Sequence, residues 1–552
     1  MPSGRRRVAT ALVAAPFLFP LAGGPLGSAW QTLWGAGCAV LLALAVAVGR
    51  RRPSPWAGAA LLGCTALLAA IASLGQTGVG LAGALLVVGC GFLASHSGGL
   101  QVAQADDRAL AVGSGIAWAA CLSVAIGLAQ YFGHAAWLKP WSAVPMEPLG
   151  MAYGNLRQRN QFASLCCMGL AAVLWLHARA SGKARLGWTA AAAWLVVGLA
   201  ASTSRTGLLQ LVCIVGVAAW LGGRQRRSAG HSGPRVAHPS LVLALLPLYA
   251  GAAWLLPHLA SSSVEGMISR LREGAPLGHG RLLLWRNVLE LIAEHPWRGW
   301  GWGELSYAHY SHLYAGERFV EILDNAHNLP LHLAVTLGIP AAVAICGAFL
   351  WMVLRARPWA ERDPARTMVW GLLGVIVLHS LLEYPLWYAP FQLAFGLSLG
   401  LLWPGRPVAI SKPNRSFAPA LPGMAATISI AFLAAVAWDY ARVSQIYLPR
   451  DQRLPAWREH TLDRLRGNAW FFGDAAKFAE LTLTPVTRQN ASVMYALAGE
   501  MLHFSPEPRV VVKRMQAASL LGDDEEVQAQ LARFRAAYPE DYLRWLGSLP
   551  AD

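Results

Sequence analysis

Long stretches nearly free of charged residues recur along the chain from residue 8 to residue 440. Each is about long enough to cross a hydrocarbon core of ~30 Å as a helix. Backbone groups in lipid must be satisfied within their own segment, which only helices and closed barrels achieve. The pattern predicts an all-α polytopic membrane protein with about 13 transmembrane helices. These lie at 8–23, 32–49, 55–74, 78–96, 109–133, 161–178, 186–201, 206–222, 240–258, 328–354, 366–382, 387–403 and 422–440.

The polar residues that interrupt this pattern gather in a few segments, each at the mouth of a span or in the longest loop. By the predicted span count, all of these segments open onto the same aqueous face. A membrane protein that collects Arg, His, Asn, Gln, Glu and Tyr on one face is expected to carry a reaction centre there. The segments are 155–161, 202–205, 281–304, 324–328 and 383–388.

The basic residues of the short loops fall mostly on the other side. With the N-terminus in the cytoplasm, the cytoplasmic stretches carry 21 Lys and Arg residues and the short outer loops carry 4. This bias follows the positive-inside rule. It predicts a protein of the bacterial inner membrane whose polar face, long loop and tail lie in the periplasm. The net charge of +16 is explained by these loops, so nucleic-acid binding is not predicted.

Four regions follow from this topology. A first transmembrane bundle of about nine spans is followed by a long periplasmic loop with an amphipathic helix over 281–295. A second bundle of about four spans precedes a soluble periplasmic helical domain. In order, the predicted boundaries are 1–258, 259–326, 327–440 and 441–552.

The tail differs in composition from the rest, since 14 Lys and Arg residues balance 14 Asp and Glu residues from 441 onward. Helical periodicity is visible at 493–502, 510–521 and 525–538. Gly522 and Asp523 form a predicted stop and cap between the last two helices. The tail is expected to be a small bundle of helical hairpins, similar to a tetratricopeptide pair, although no convincing 34-residue repeat is found.

His327 is the predicted general base. It opens a span, and Asp324, Asn325 and Asn328 are close enough in sequence to orient its ring. An imidazole with an ordinary pKa of ~6.5 is mostly neutral at physiological pH, as a base must be. The alternative is that His327 is an ordinary residue of the membrane interface with no role in catalysis.

Arg281 and Arg286 lie on the predicted amphipathic helix, where they would reach the depth of a lipid phosphate. Arginine keeps its charge and makes two-point contacts with phosphate. For Arg286, an ordinary i,i+4 ion pair with Glu290 is an equal alternative. The apolar stripe expected to face the membrane consists of Leu282, Trp285, Leu289 and Ile292.

Other polar residues at span edges complete the predicted site. Arg205 follows hydroxyl residues at a helix start, which is suited to holding an anion. Asn160 and Gln161 offer donors and acceptors suited to sugar hydroxyls. Glu383 and Tyr384 flank a proline and are weaker candidates for the same sugar or acceptor contacts, since interfacial Tyr is common.

Sequence motifs for a metal ion, a nucleotide phosphate or a dinucleotide are not found in the outward segments. We therefore expect no metal ion and no cofactor. An energy-rich substrate brought by the membrane would have to drive any reaction.

Taken in order, these motifs resemble a known family. Gly-Asn-x-x-Gln-x-Asn-Gln-Phe-Ala spans 154–163, and Ser-Arg-x-Gly spans 204–207. An Arg-x-x-x-Trp helix ends in His-Pro-x-x-Gly-x-Gly at 301, and His-Asn and Glu-Tyr-Pro follow at 327 and 383. The set is similar to the bacterial O-antigen ligase/polymerase superfamily, and most similar to its PglL-type, pilin-glycosylating protein O-oligosaccharyltransferases. The basic stretch at 157–159 departs from the pattern.

The resemblance implies an undecaprenyl-pyrophosphate-linked glycan as donor and a Ser or Thr hydroxyl of a periplasmic protein such as a pilin as acceptor. His327 would then take the hydroxyl proton, and Arg205 and Arg281 would hold the leaving pyrophosphate. Asn160, Gln161 and Tyr384 would position sugar or acceptor. A single displacement would invert the anomeric carbon.

Two alternatives stay open. The nearest changes the acceptor and makes the chain a lipid A-core O-antigen ligase or an O-antigen polymerase. The other is a transporter or flippase for lipid-linked glycans. Transporters place ionisable groups near the bilayer midplane, whereas polarity here collects at one edge, so interfacial chemistry is favoured.

Overall fold

A computed structural model describes residues 3–20, 29–48, 76–96, 102–143, 149–227, 237–260, 280–403 and 420–548. Within these ranges the regular elements are α-helices and short 3-10 turns, with no strand. The predicted all-α class is confirmed. The first nine α-helices of the described ranges are α1 (Ser3–Leu18), α2 (Ala29–Val48), α3 (Gln76–Ser95), α4 (Val102–Tyr131), α5 (Arg159–Arg179), α6 (Gly182–Ala201), α7 (Arg205–Arg227), α8 (Pro239–Leu243) and α9 (Leu245–Leu259).

The next helices alternate between the long loop and the second bundle. They are α10 (Arg281–Glu294), α11 (Leu305–Ser311), α12 (Leu329–Leu337), α13 (Ile339–Ala356), α14 (Pro364–Ser380), α15 (Ala389–Leu402) and α16 (Ala420–Ser444). Within the described ranges, eight helical segments are long and apolar enough to cross a membrane, and α2 and α15 contain shorter apolar helices. The polytopic membrane class is therefore confirmed. The count of thirteen stays a prediction, because the span predicted at 55–74 lies outside the described residues.

Helix α5 lies at the centre of the first bundle. In the most apolar stretch of α5, 89% is buried inside the protein, whereas the buried share is 6% for the span that begins at Ile339. It packs against α4, α6, α7 and α14. Glycines permit the close approach, since a Cβ added at Gly169 would lie 2.4 Å from the Ala120 Cβ. Polar residues at the start of α5 are therefore held in the middle of the assembly.

The span predicted at 328–354 is not one helix, which corrects the sequence prediction. Gly338 has φ +88° and separates α12 from α13. The segment that follows α10 packs against this break. The Trp300 N–H donates to the Val335 carbonyl at 2.8 Å, and the Ile339 N–H donates to the Pro296 carbonyl at 2.8 Å. The break supplies free backbone groups to which this segment hydrogen-bonds.

Helix α10 confirms the predicted helix over 281–295. On the stripe expected to face the membrane, Leu282 is 80% exposed and Leu289 is 54% exposed, whereas Ile292 is buried. The membrane-facing role of this stripe stays a prediction. Another face of the helix packs against α11, α12 and the loop between them. Its buried side chains are Leu284, Asn287, Val288, Leu291 and Ile292.

The tail is a bundle of short helices, as its periodicity predicts. Gly522 has φ +76° and ends one helix, and Asp523 Oδ1 accepts from the Glu526 N–H at 3.1 Å to begin the next. Both the stop and the cap expected at this point are present. The helices are α17 (Thr461–Leu465), α18 (Gly473–Leu483), α19 (Ala491–Phe504), α20 (Pro508–Leu521), α21 (Asp524–Ala537) and α22 (Pro539–Gly547).

Candidate active site

Glu383 is the centre of a polar cluster between α14 and α15. Its side chain is buried, with 6% of the residue exposed. Oε2 accepts from His327 Nδ1 at 2.7 Å, and Oε1 accepts from Asn160 Nδ2 at 2.9 Å. The Arg281 guanidinium donates to the same Oε1. One carboxylate thus joins residues from three other polar segments predicted from the sequence.

The backbone around His327 is held in an uncommon conformation. Its φ is +51°, in the left-handed region that non-glycine residues seldom occupy. The His327 N–H donates to Asn325 Oδ1 at 3.0 Å, which closes a local turn over this conformation. Asn328 Oδ1 then accepts from the Leu331 N–H at 3.0 Å and caps α12. The side chains of Asn325 and Asn328 therefore fix the backbone position from which the His327 imidazole extends.

One nitrogen of the His327 imidazole is hydrogen-bonded to Glu383, and the other can accept a proton from a substrate. Nδ1–H donates to the Glu383 carboxylate, which leaves a lone pair on Nε2 of the neutral ring. The Tyr384 ring meets the imidazole edge to face, with centroids 4.8 Å apart at 89°. The side chain is 27% exposed, so a substrate can reach it. The pair has the geometry of a base oriented by an acid.

The charge of Glu383 is favoured by its neighbours. Burial alone raises the pKa of a carboxyl group, but the hydrogen bond from His327 and the charge of Arg281 outweigh it and hold the pKa of Glu383 below its ordinary value. Burial raises the pKa of Tyr384. At neutral pH the cluster therefore combines a carboxylate with the protonated phenol of Tyr384.

Asn160 links the Glu383 cluster to the start of α7. Its Oδ1 accepts from the Ser204 hydroxyl at 2.6 Å, while its Nδ2 donates to Glu383. Ser204 immediately precedes Arg205, which is exposed at the first position of α7. The amide of Asn160 is thus engaged on both sides within the protein. Arg205 is brought close to the cluster through its neighbour.

Gln161 and Tyr384 line a narrow cleft beside Glu383. Its other walls are Gln158, His379, Pro385 and Tyr388. The rings of Tyr384 and Tyr388 are stacked, with centroids 5.9 Å apart at 25°. Of the four predicted sugar or acceptor residues, Gln161, Glu383 and Tyr384 thus line one concave surface, and Asn160 is not among its lining residues.

Arg286 lies apart from these groups. It is 65% exposed at the side chain and pairs with Glu290 at 3.7 Å, one turn along α10. Five residues separate it from Arg281, which places the two side chains about 140° apart around the helix. Of the two sequence-based interpretations, the structure displays the i,i+4 ion pair.

His379 is the cleft residue that the sequence analysis missed. It is 0% exposed on α14, and its backbone carbonyl accepts from the Glu383 N–H at 2.8 Å. The available signal was an ionisable residue inside an apolar span, four positions before Glu383. Such residues are rare in membrane helices and usually face a functional interior.

Three protein families match parts of the chain. Residues 152–177 match "Protein glycosylation ligase", 190–346 match "O-Antigen ligase", and 367–548 match "Virulence factor membrane-bound polymerase, C-terminal". Asn160 lies in the first match, Arg281 and His327 in the second, and Glu383 in the third.

One curated relative is similar over part of its length. It is a "General O-oligosaccharyltransferase" of Acinetobacter baylyi, 28% identical over 278 residues. The alignment covers 45% of this chain and 43% of the relative, so the chain matches less than half of that protein. Together with the family matches, it confirms the resemblance drawn from the motifs.

Proposed function

As a PglL-type relative within the O-antigen ligase/polymerase superfamily, this chain is, we propose, a membrane glycosyltransferase that moves a preassembled glycan to a protein. The proposed donor is a glycan on undecaprenyl pyrophosphate, and the proposed acceptor is a Ser or Thr hydroxyl of a periplasmic protein such as a pilin. The name of the Acinetobacter baylyi relative and the glycosylation ligase match over 152–177 support protein as the acceptor.

The hydrogen bond between His327 Nδ1 and Glu383 Oε2, at 2.7 Å, is the observation that carries the proposal. His327 Nε2 takes the proton of the acceptor hydroxyl while the oxygen of that hydroxyl bonds to the anomeric carbon of the donor. The bond from that carbon to the pyrophosphate breaks, and the pyrophosphate leaves with the electron pair. Glu383 holds the ring tautomer and offsets the charge of the imidazolium, and one displacement inverts the anomeric centre.

Arg281 and Arg205 are the proposed cations for the leaving pyrophosphate. Arg281 contacts Glu383, yet its side chain remains 36% exposed. A guanidinium has five N–H donors, so Arg281 can hold the carboxylate and still present donors to phosphate. Cations fixed where negative charge develops stabilise the transition state. Arg286 is not retained in the proposed phosphate site, because it pairs with Glu290 on another side of α10.

The placement of the other charged residues supports a single active face. Basic residues assigned to the cytoplasmic side cluster at the opposite helix ends from Glu383. Arg108 donates to the Ser95 carbonyl at 2.8 Å, Arg179 pairs with Asp106 at 2.8 Å, and Arg366 donates to the Leu402 carbonyl at 2.9 Å. By the positive-inside rule the Glu383 end then faces the periplasm of an inner-membrane protein.

A different acceptor is the second candidate. The match over 190–346 is to an O-antigen ligase family and that over 367–548 to a polymerase family. Both would use the same base and phosphate ligands and differ in which hydroxyl attacks. The acceptor is therefore the property to measure.

The test is His327→Ala in a host that supplies one lipid-linked glycan and a co-expressed pilin. We expect the glycan mass on the pilin to disappear while the enzyme level holds, because removing a positioned base typically costs about 10²–10⁴-fold in rate. His258→Ala is the matched control. His258 is also exposed at a span end, and its Nδ1 contacts the Trp254 carbonyl of its own helix.

Near-normal glycosylation by the His327→Ala variant would remove His327 from the proposed role. Wild-type protein that adds the glycan to lipid A-core and leaves the pilin unmodified would favour the ligase candidate.

A further inference from the structure

Asn160 lies between two side chains that determine which way its amide points. The carboxylate of Glu383 is charged and paired with Arg281, so its oxygens can only accept hydrogen bonds. The Asn160 atom that lies 2.9 Å from Glu383 Oε1 is therefore Nδ2, which donates. The amide oxygen Oδ1 then faces the Ser204 hydroxyl at 2.6 Å. One orientation of the amide thus satisfies both neighbours.

The direction of the Ser204 hydrogen bonds is determined in the same way. The Ser204 hydroxyl oxygen accepts from the Gly207 N–H at 3.0 Å, which caps the first turn of α7. A backbone N–H can only donate, so the single hydroxyl proton goes to Asn160 Oδ1. A chain of hydrogen bonds with one direction therefore runs from the backbone of α7 through Ser204 and Asn160 to Glu383.

This chain is buried between two closely packed helices. Asn160, Ser204 and Glu383 are 9%, 1% and 6% exposed. A Cβ added at Gly207 would lie 2.6 Å from the Ala163 Cβ, so α5 and α7 approach closely one turn along from Asn160. Both polar atoms of the Asn160 amide consequently have partners inside the protein.

The two donors to Glu383 Oε1 differ in what else they do under the proposed function. Arg281 also contacts the pyrophosphate, so its contact with the carboxylate changes when the lipid-linked donor binds. Asn160 is bonded only within the hydrogen-bond chain. When Arg281 turns to the phosphate, Asn160 remains on Oε1 and His327 remains on Oε2. The position of the carboxylate then depends on Asn160.

We propose that Asn160 and Ser204 are positioning residues for glycan transfer, an inference that rests on the proposed function. They keep Glu383 in place against His327 and do not contact the donor or the acceptor. The sequence analysis instead assigned Asn160 to the sugar or the acceptor. The two roles differ in what a substitution changes, because loss of a substrate contact raises KM, whereas loss of a positioning residue lowers kcat with binding retained.

The first measurement needs no substrate. Nitrogen NMR of full-length protein in lipid bilayers, labelled at histidine, reports the tautomer of His327, whose signals are assigned by their absence in His327→Ala. In the wild type we expect the neutral ring to carry its proton on Nδ1, because Nδ1 donates to Glu383. Asn160→Ala and Ser204→Ala should each add the Nε2–H tautomer.

Ser202→Ala is the matched control, because it changes the same turn without removing a member of the chain. The Ser202 hydroxyl donates to the Leu199 carbonyl at 2.6 Å and accepts from the Ser204 N–H at 3.2 Å. We expect the wild-type tautomer of His327 in this variant.

The second measurement separates positioning from substrate contact. For Asn160→Ala we expect kcat to fall about 10- to 100-fold, because a hydrogen bond to a charged group is lost. The Kd for the lipid-linked donor and the KM for the acceptor should change less than about 3-fold. The double variant with Ser204→Ala should be no slower than Asn160→Ala alone, since both substitutions interrupt one chain. If one single variant fails to fold, the other decides.

A donor Kd or an acceptor KM that rises about 10-fold or more in Asn160→Ala would overturn the proposal, because Asn160 would then contact the substrate. An unchanged tautomer in both alanine variants would overturn it as well. The tautomer is read without turnover, so the two proposals can fail separately. A changed tautomer in a protein that transfers no glycan to the pilin supports the positioning role while the proposed function fails, and transfer at the parental rate by both variants does the reverse.

Discussion

A single buried carboxylate organises the candidate active site at the scale of the residue. Glu383 accepts from His327, Asn160 and Arg281, so its charge is fully paired inside the protein. A buried charge that loses its partners is costly. His327 and Arg281 consequently have two effects under the proposed function, one on the position of Glu383 and one on the substrate, whereas Asn160 is engaged by Glu383 and Ser204.

Arg281→Lys tests the phosphate contact at this scale. We expect a rise of about 10-fold or more in the KM for the lipid-linked donor, because an ammonium cannot reproduce a planar two-point contact to phosphate. The measurement is initial rate against donor concentration with purified protein. Arg286→Lys is the matched control on the same helix, since Arg286 is exposed and forms a surface pair; parental kinetics of Arg281→Lys would show that the contact is not bidentate.

At the scale of the element, the break between α12 and α13 lies one short helix after His327, the proposed base. A Cβ added at Gly338 would lie 2.3 Å from the Trp297 carbonyl oxygen, and one added at Gly299 would lie 2.5 Å from the Thr336 carbonyl carbon. The His-Pro-x-x-Gly-x-Gly motif thus packs against a broken helix whose first turn follows His327. The glycines serve close backbone approach.

Gly338→Ala should destabilise the fold by about 2 kcal/mol or more, because φ +88° is strained for alanine and its Cβ has no space. We expect a lower Tm in a thermal-denaturation assay and a parallel loss of transfer. Gly347→Ala is the matched control on α13, where an added Cβ meets nothing within 4 Å. An unchanged Tm for Gly338→Ala would mean that the two backbones can separate.

At the scale of the whole molecule, the segment from α10 to α12 joins the tail to the membrane bundle. Tyr310 of α11 donates to Gln530 Oε1 at 2.5 Å, and His503 donates to Glu304 Oε2 at 2.7 Å. On the other side, Asp439 of α16 accepts from the backbone N–H groups of residues 470–472 at 2.7 to 3.2 Å. The tail is thus hydrogen-bonded to the rest of the protein at two places.

His309 makes this junction sensitive to acid. Its Nε2 donates to the Phe319 carbonyl at 3.0 Å and its Nδ1 accepts from the Tyr314 hydroxyl at 2.7 Å, so the buried ring is neutral. Burial, aided by the charge of Arg318, lowers the pKa of His309 to about 3. The unfolded chain takes up its proton near 6.5 and thus binds more protons between these values.

Stability should therefore be complete above about pH 6.5 and fall by up to ~1.4 kcal/mol per pH unit below it. We expect Tm to drop between about pH 6.5 and pH 5, with earlier protease cleavage around the tail. Glu383, whose pKa is lowered, stabilises the fold above its ordinary carboxyl range and loses that effect only as the pH falls below it. A His309→Gln variant should respond less steeply; the same slope in both proteins would assign the effect to other groups.

Much of the fold was predictable because its signals are local. Apolar runs of membrane-crossing length, the charge difference between loops, and the glycine and cap at 522 and 523 each depend on neighbouring residues only. Periodicity identified α10 as a helix with apolar residues, but it did not show which face packs inside the protein. The partners of α10 decide that: Leu284, Val288 and Leu291 are buried, whereas Leu282 and Leu289 are exposed.

The sequence by itself determined that polar residues lie at span ends and which chemical groups they offer. Only the tertiary structure decided that His327, Arg281 and Asn160 meet on Glu383, from 56, 102 and 223 residues away. It also decided that His379, buried on α14, lines the cleft beside Glu383. Hydrophobic pattern places a helix in the membrane, but the packing of helices against one another sets which side chains touch.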